Sequence, residues 1–156
     1  MDRIVAEGKI QVIWQTGKYY EREMTEFMQG RSDRGIWRGA FIERMDLAYA
    51  AADLVMSRSG AGTVSELCLV ARPVLFVPSP NVAEDHQTKN AMALVGKQAA
   101  RMIPDRDAVN GVFPVVEELL ADPKQLAEME RNILTLGIGD SADRVVNEVM
   151  DVVNEK

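Results

Sequence analysis

The densest group of residues able to do chemistry is Ser57-Arg58-Ser59-Gly60-Ala61-Gly62-Thr63-Val64-Ser65-Glu66-Leu67. It follows an apolar run and opens a stretch of helical period, so it reads as a strand-to-helix turn. Gly60 and Gly62 allow backbone to come close to a ligand and permit positive φ. Free amides at a helix start, with the helix dipole behind them, attract an anion such as phosphate. Ser59, Thr63 and Ser65 add hydroxyl donors. The pattern is not a Walker loop, because no Gly-Lys-Ser/Thr follows the glycines. It is not G-x-G-x-x-G either, because Ser65 holds the third glycine place. Glu66 has two readings. Thr63-Val64-Ser65-Glu66 fits a capping box, in which the glutamate only satisfies an amide at the helix start. In the other, its carboxylate accepts hydrogen bonds from a ligand. The glycines, equally, could simply make a tight turn.

The next strand-to-helix turn, Val77-Pro78-Ser79-Pro80-Asn81-Val82-Ala83-Glu84-Asp85-His86-Gln87-Thr88-Lys89-Asn90, is stiffened by two prolines and ends at a polar helix start. Asp85, His86, Gln87 and Asn90 stand where they could meet a ligand held by the preceding loop, and carboxamides suit sugar hydroxyls. Each has an ordinary alternative: Asp85 as a helix cap, His86 and Gln87 as a solvated first turn, Asn90 as helix surface. No Cys, His and carboxylate cluster has metal-ligand spacing, so neither a protein-built metal site nor a cofactor is expected. One histidine beside an acidic loop does not make a Ser-His-Asp arrangement.

The elements that must position these loops follow from the alternation of patterns. Apolar runs at Ile10–Trp14, Gly35–Gly39, Asp53–Ser57, Pro73–Val77 and Ala99–Ile103 alternate with amphipathic segments at Tyr19–Met28, Arg44–Ala51, Thr63–Val70 and His86–Val95. Such alternation predicts βαβ units, a doubly wound parallel sheet of Rossmann type, with ligands beyond the carboxyl ends of the strands. The third and fourth runs are the most apolar, as expected of strands buried on both faces. From Asp107 the pattern is helical to the end: Asp107–Leu120, Pro123–Leu136 and Ser141–Asn154, with boundaries at Asp122-Pro123 and at Gly137–Ser141. Asp2–Glu7 reads as a short helical piece, where a doubly wound domain usually opens with a strand and a glycine-rich turn.

The chain has 156 residues, enough for one domain with a core. Apolar residues make up 47% and charged residues 27%, an ordinary globular balance. No apolar run approaches the roughly 20 residues of a membrane-spanning helix, and Met1-Asp2-Arg3 does not open a signal peptide. The single cysteine, Cys68, excludes an internal disulfide. Lys plus Arg number 18 against 24 Asp plus Glu, a net charge of −6. That balance argues against nucleic acid as a partner. It leaves open a single nucleotide, which backbone amides can hold.

Taken together, Phe41-Ile42-Glu43-Arg44-Met45, Ala48–Asp53, Arg58–Glu66, Pro73–Pro78 and His86–Ala91 resemble the MurG family of peptidoglycan N-acetylglucosaminyltransferases. The likeness covers nearly the whole chain, including Trp14-Gln15-Thr16-Gly17-Lys18 and Arg144–Val149. It implies the GT-B fold, two Rossmann-like domains with the active site in the cleft between them. This chain corresponds to the C-terminal domain, which binds UDP-GlcNAc. The resemblance places Ile42 against the uracil with backbone hydrogen bonds to its edge, and Ala61, Gly62 and Thr63 at the diphosphate. It places Glu66 on the ribose hydroxyls and Gln87 on the GlcNAc hydroxyls. Ser59, Gly60, Val64, Ser65, His86 and Asn90 complete the expected donor-site set. His86 stands where the family often has another glutamine, and Gly62 where a larger aliphatic is common. The implied reaction is an inverting transfer, in which the 4-hydroxyl of the muramoyl sugar on lipid I attacks the anomeric carbon of GlcNAc and UDP leaves, at the cytoplasmic face of the plasma membrane. Lipid I and the membrane would be met by an N-terminal domain absent here, as are the opening strand and Gly-Gly-Ser-type turn. The chain alone is then expected to lack both a catalytic proton-transfer group and activity. Other GT-B enzymes, such as a UDP-GlcNAc 2-epimerase or a glycolipid glycosyltransferase, share the looser pattern. A response-regulator-like interaction module is disfavoured, because the strand ends carry Trp14-Gln15-Thr16 and Ser57-Arg58-Ser59 in place of acidic groups.

Overall fold

The β-branched runs become strands and the amphipathic stretches become helices, alternating through the five strands and four α-helices that the sequence marks. The computed structural model describes residues 10–81 and 83–154. The expected helical piece at Asp2–Glu7 lies outside them. The chain divides into two compact units, Met1–Ala51 and Ala52–Lys156.

In the first unit, β1 (Val12–Gln15), α1 (Glu21–Met28), β2 (Ile36–Gly39) and α2 (Met45–Ala51) follow one another. β1 and β2 pair in parallel, from Val12 opposite Ile36 to Gln15 opposite Gly39. Parallel neighbours need a crossover, and α1 supplies it. Gly30, two residues past the helix end, takes φ +72, the left-handed stop that glycine adopts without steric cost. The ladder runs on past β1, where Thr16 and Gly17 donate their amides to Gly39 and Ala40.

In the second unit, β3 (Val55–Ser57), α3 (Ala61–Val70), β4 (Val74–Phe76), α4 (His86–Val95) and β5 (Arg101–Met102) are followed by α5 (Ala108–Leu120), α6 (Pro123–Leu134) and α7 (Ser141–Asn154). The three strands lie in the order β3-β4-β5, all parallel. β4 is central, and Val74, Leu75 and Phe76 are wholly buried. β3 departs from the expectation of burial on both faces: Met56 is 57% exposed. The reason is position, since among the described strands β3 pairs with β4 alone. Among the described residues, no helix is long and apolar enough to cross a membrane.

The helix that opens at the glycine loop is fixed by packing. α3 buries Leu67 and Cys68 and lies against α4 and α6. Leu119 of α5 and Ile133 of α6 join Leu67 in the core, each such side chain contributing about 1.5–3 kcal/mol by leaving water. Burial pushes the Cys68 thiol above its ordinary pKa. α6 starts where the sequence marks it: Asp122 accepts from the amides of Lys124 and Gln125, both at 3.1 Å, with Pro123 at the first helical position. Beyond α6, Gly137 comes so close to α3 that a Cβ there would stand 2.9 Å from the Cys68 carbonyl oxygen. Backbone cannot yield as a side chain can. Gly137→Ala is therefore expected to lower stability by about 1–3 kcal/mol, read as a fall in the urea midpoint without a change in slope.

Candidate functional site

In a parallel sheet the carboxyl ends of all strands lie along one edge, and the loops that leave β3, β4 and β5 meet there. One side chain joins all three. Arg58, just past β3, donates Nη1 to the carbonyls of Val77 (3.0 Å) and Pro78 (3.1 Å) beyond β4, and pairs with Asp105 beyond β5. The next residue ties the same loop to α4. Ser59 is fully buried; its Oγ donates to the Gln87 carbonyl at 2.8 Å, and its own carbonyl accepts from Asn90 Nδ2 at 3.0 Å. Gln87 in turn accepts the Ser79 amide on Oε1 at 2.9 Å, which holds the proline-stiffened loop.

These ties set where α3 begins. Gly60 is its N-cap, with extended backbone (φ −62, ψ 148) and no side-chain cap. The first helical bond runs from the Val64 amide to the Gly60 carbonyl at 2.9 Å. The amides of Ala61, Gly62 and Thr63 come before that bond and donate to no other described residue. A helix start of this kind is an anion site in waiting. A Cβ built at Gly60 or Gly62 meets nothing within 4 Å, so the approach to those amides is open. Gly62 and Glu66 stand four residues apart and share one helix face. Glu66 is exposed, and its carboxylate makes no hydrogen bond or ion pair with a described residue.

Several expectations change in detail. The capping box is not formed: α3 starts two residues before the expected Thr63, which makes Thr63 its third residue and Glu66 its sixth, beyond reach of the cap. Neither Gly60 nor Gly62 uses positive φ; Gly62 is inside the helix, not in a turn, and what both glycines provide is space. The Val64 amide is engaged within the helix. The hydroxyl of Ser59 and the amide nitrogen of Asn90 serve the buried tie, leaving the unpaired amides as the loop's offer to a ligand. Gln87 keeps only its Nε2 free of described partners. Thr63 is half-buried, Ser65 exposed. Asp85 sits at the α4 N-cap in left-handed backbone (φ 55), without a side-chain cap bond. His86 is exposed, its Nε2 3.8 Å from Glu84.

In the first unit, Ile42 is half-buried in the loop between β2 and α2. Its amide donates to Gln15 Oε1 at 2.9 Å. Two residues on, Arg44 grips both carboxylate oxygens of Asp46, at 2.9 and 2.6 Å, which lowers the Asp46 pKa and raises that of Arg44. Among the described residues, no three His, Cys, Asp or Glu side chains gather around a point that could hold a metal ion. Arg58, Asp105 and Gln15 are the site-building residues that sequence reasoning passed over. Only the place of Arg58 and Gln15 at strand ends could have marked them.

A parallel α/β arrangement with an open helix start at its carboxyl edge suits an anionic ligand, and comparison with known proteins gives the family. Residues 2–145 match the model of the glycosyltransferase family 28 C-terminal domain, and the chain belongs to that family. It is 50% identical over 156 residues to the UDP-N-acetylglucosamine--N-acetylmuramyl-(pentapeptide) pyrophosphoryl-undecaprenol N-acetylglucosamine transferase of Parabacteroides distasonis, covering all of this chain and 42% of that protein. It is 48% identical over 147 residues to the protein of that name from Bacteroides fragilis, covering 94% and 39%. The crystal structure of Acinetobacter baumannii MurG superposes with a TM-score of 0.78 at 28% identity, covering 90% of this chain and 41% of that one. A UDP-N-acetylglucosamine 2-epimerase structure, at 20% identity and a TM-score of 0.63, shares the fold. The chain thus spans about two fifths of the length of the curated relatives it matches.

The buried tie gives a direct test. Asn90→Ala leaves the Ser59 carbonyl without its donor inside the protein. The expected loss is about 1–3 kcal/mol of stability, measured by urea unfolding.

Proposed function

We propose that this chain holds UDP-N-acetylglucosamine as the donor part of a cell-wall glycosyltransferase. The full-length protein transfers GlcNAc to the muramoyl sugar of a lipid-linked pentapeptide at the cytoplasmic face of the bacterial membrane. Family membership and the names of the relatives support the reading. The observation that carries it is the set of unpaired amides at Ala61, Gly62 and Thr63, with open space before them and the unengaged Glu66 carboxylate one turn inward.

Each group then has a task. The amides take the diphosphate, and they stabilise the charge that develops on UDP as the glycosidic bond to it breaks. Glu66 accepts hydrogen bonds from the ribose hydroxyls, and the Gln87 Nε2 donates to a sugar hydroxyl. The Ile42 carbonyl accepts from the base. No tightly held metal is needed in this scheme, since peptide dipoles supply the positive pole. The acceptor, the membrane and the group that removes the proton from the attacking hydroxyl belong to parts of the full-length protein beyond this chain. The chain by itself is accordingly expected to give no turnover of the lipid-linked acceptor, because nothing here positions it.

Glu66→Ala tests the donor site. UDP affinity in calorimetry is expected to fall by about 1.5–3 kcal/mol, the worth of charge-assisted bonds to the ribose. Unchanged affinity would remove Glu66 from the site. A screen of UDP-GlcNAc against UDP-glucose and UDP-galactose, with UDP-GlcNAc bound most tightly, tests the sugar.

A further inference from the structure

A groove of about 410 Å3 runs beside β2, between that strand and the second half of α1. Thr25, Met28, Arg31, Asp33, Trp37 and Arg38 are among its lining residues, and no residue of β1 is. The groove therefore lies off the edge of β2 that faces away from β1. That edge has main chain to offer. On the inner side, the carbonyls of Gly35 and Gly39 accept from the amides of Val12 and Thr16. A strand turns alternate peptide groups to its two sides, so Ile36 and Arg38 face outward. The Ile36 amide is taken by the Asp33 carbonyl at 2.8 Å. The Ile36 carbonyl and both main-chain groups of Arg38 have no partner among the described residues.

The Arg38 side chain stands at the same place and is held there. Its Nη1 donates to Thr25 Oγ1 at 2.8 Å, and the Thr25 hydroxyl spends its own proton on the Glu21 carbonyl at 2.7 Å. Thr25 can then only accept from the guanidinium, which fixes the direction of that bond. No carboxylate among the described residues meets the Arg38 charge. Arg31 lines the same groove, its guanidinium over the Phe27 ring at 4.6 Å, and Asp33 is the acidic residue among those that line it. A chain with a net charge of −6 thus presents a groove in which arginine outnumbers carboxylate.

We infer that the outer edge of β2 is a docking site for an extended, acidic polypeptide segment of a partner protein. The segment adds as a further strand, pairing its main chain with the Ile36 carbonyl and with the amide and carbonyl of Arg38. A carboxylate beside Arg38, on the face that α1 covers, takes the guanidinium. Trp37, 51% exposed on the opposite face, packs against the alternate side chains of the segment. A lipid surface could meet the arginine charge but would leave the main-chain groups unpaired. A second copy of this edge would bring one Arg38 towards another, a repulsive pairing. The inference is independent of the donor-site reading.

Two end-blocked peptides, Thr-Val-Glu-Val-Thr and Thr-Val-Gln-Val-Thr, test this on the purified chain by NMR titration. The glutamate peptide is expected to bind about tenfold more tightly than the glutamine peptide, the worth of one charge-assisted bond. It is also expected to slow hydrogen exchange at the Arg38 amide. In Arg38→Gln the two peptides are expected to bind alike, which closes a double-mutant cycle on the pair. The comparison of peptides on the unmodified chain needs no variant to fold. Equal binding of both peptides there, or no binding of the glutamate peptide at millimolar concentration, would overturn the inference. So would an Arg38 amide that exchanges no more slowly with the peptide bound. Binding to phosphatidylglycerol vesicles that the glutamate peptide does not displace would assign the groove to lipid instead. Protection of the Arg38 amide that rises with chain concentration alone would assign the edge to a second copy. Self-association of Arg38→Gln, with no peptide bound by either chain, would leave Arg38 as a guard against edge pairing.

Discussion

The burial of Ser59 is the constraint from which the site follows. A serine with no exposed surface must satisfy both its hydroxyl and its carbonyl inside the protein. It does so on a single neighbour, α4, through the Gln87 carbonyl and the Asn90 amide. The loop after β3 is thereby held against α4 and cannot fold back to cover the start of α3. Gly60 continues in extended backbone, and the chain enters the helix with its first amides donating to no described residue. The unsatisfied donors are thus a product of a tie made one residue earlier.

Arg58 extends the same logic sideways. Its guanidinium joins the loops beyond three strands, and its charge is met by Asp105. An ion pair this exposed adds little to stability, on the order of 0–1 kcal/mol. Its consequence is geometric: the loop that leads to Gln87 is held at Val77 and Pro78 by the residue adjacent to Ser59. The core supplies the rigidity behind this, with β4 wholly buried and Gly137 seated against the backbone of α3. Sheet, packed helix and tied loops together keep a short run of amides in place.

Much of this was legible in residue order. Val74-Leu75-Phe76 reads as a buried strand because nothing in it is polar, and Asp122-Pro123 reads as a helix start because each residue suits its place there. The glycine loop, too, was recognisable as chemistry. The start of α3 was not, because glycine disfavours helix interiors and Gly60-Ala61-Gly62 therefore looks like a turn. Gly62 is tolerated so near the helix end, and the helix reaches back over it. The ties of Arg58 and Gln15 were hidden for another reason. Their partners lie 47 and 27 residues away, and only the completed parallel pairing brings them together. Met56 fails as a buried residue because an apolar run does not reveal whether its strand is central.

A pole made of peptide groups has no proton to gain or lose. In the proposed donor site, the protein's side of the anion interaction at Ala61, Gly62 and Thr63 is therefore insensitive to acidity across the range where histidines and carboxylates titrate. Nor is it carried by any one side chain, so residue replacements that preserve the path of the backbone leave it standing. A cradle of this kind would let a chain with six more negative than positive residues suit the doubly charged guest proposed for it. Selection on surface charge and selection on the cradle act on different atoms, and each can proceed without disturbing the other.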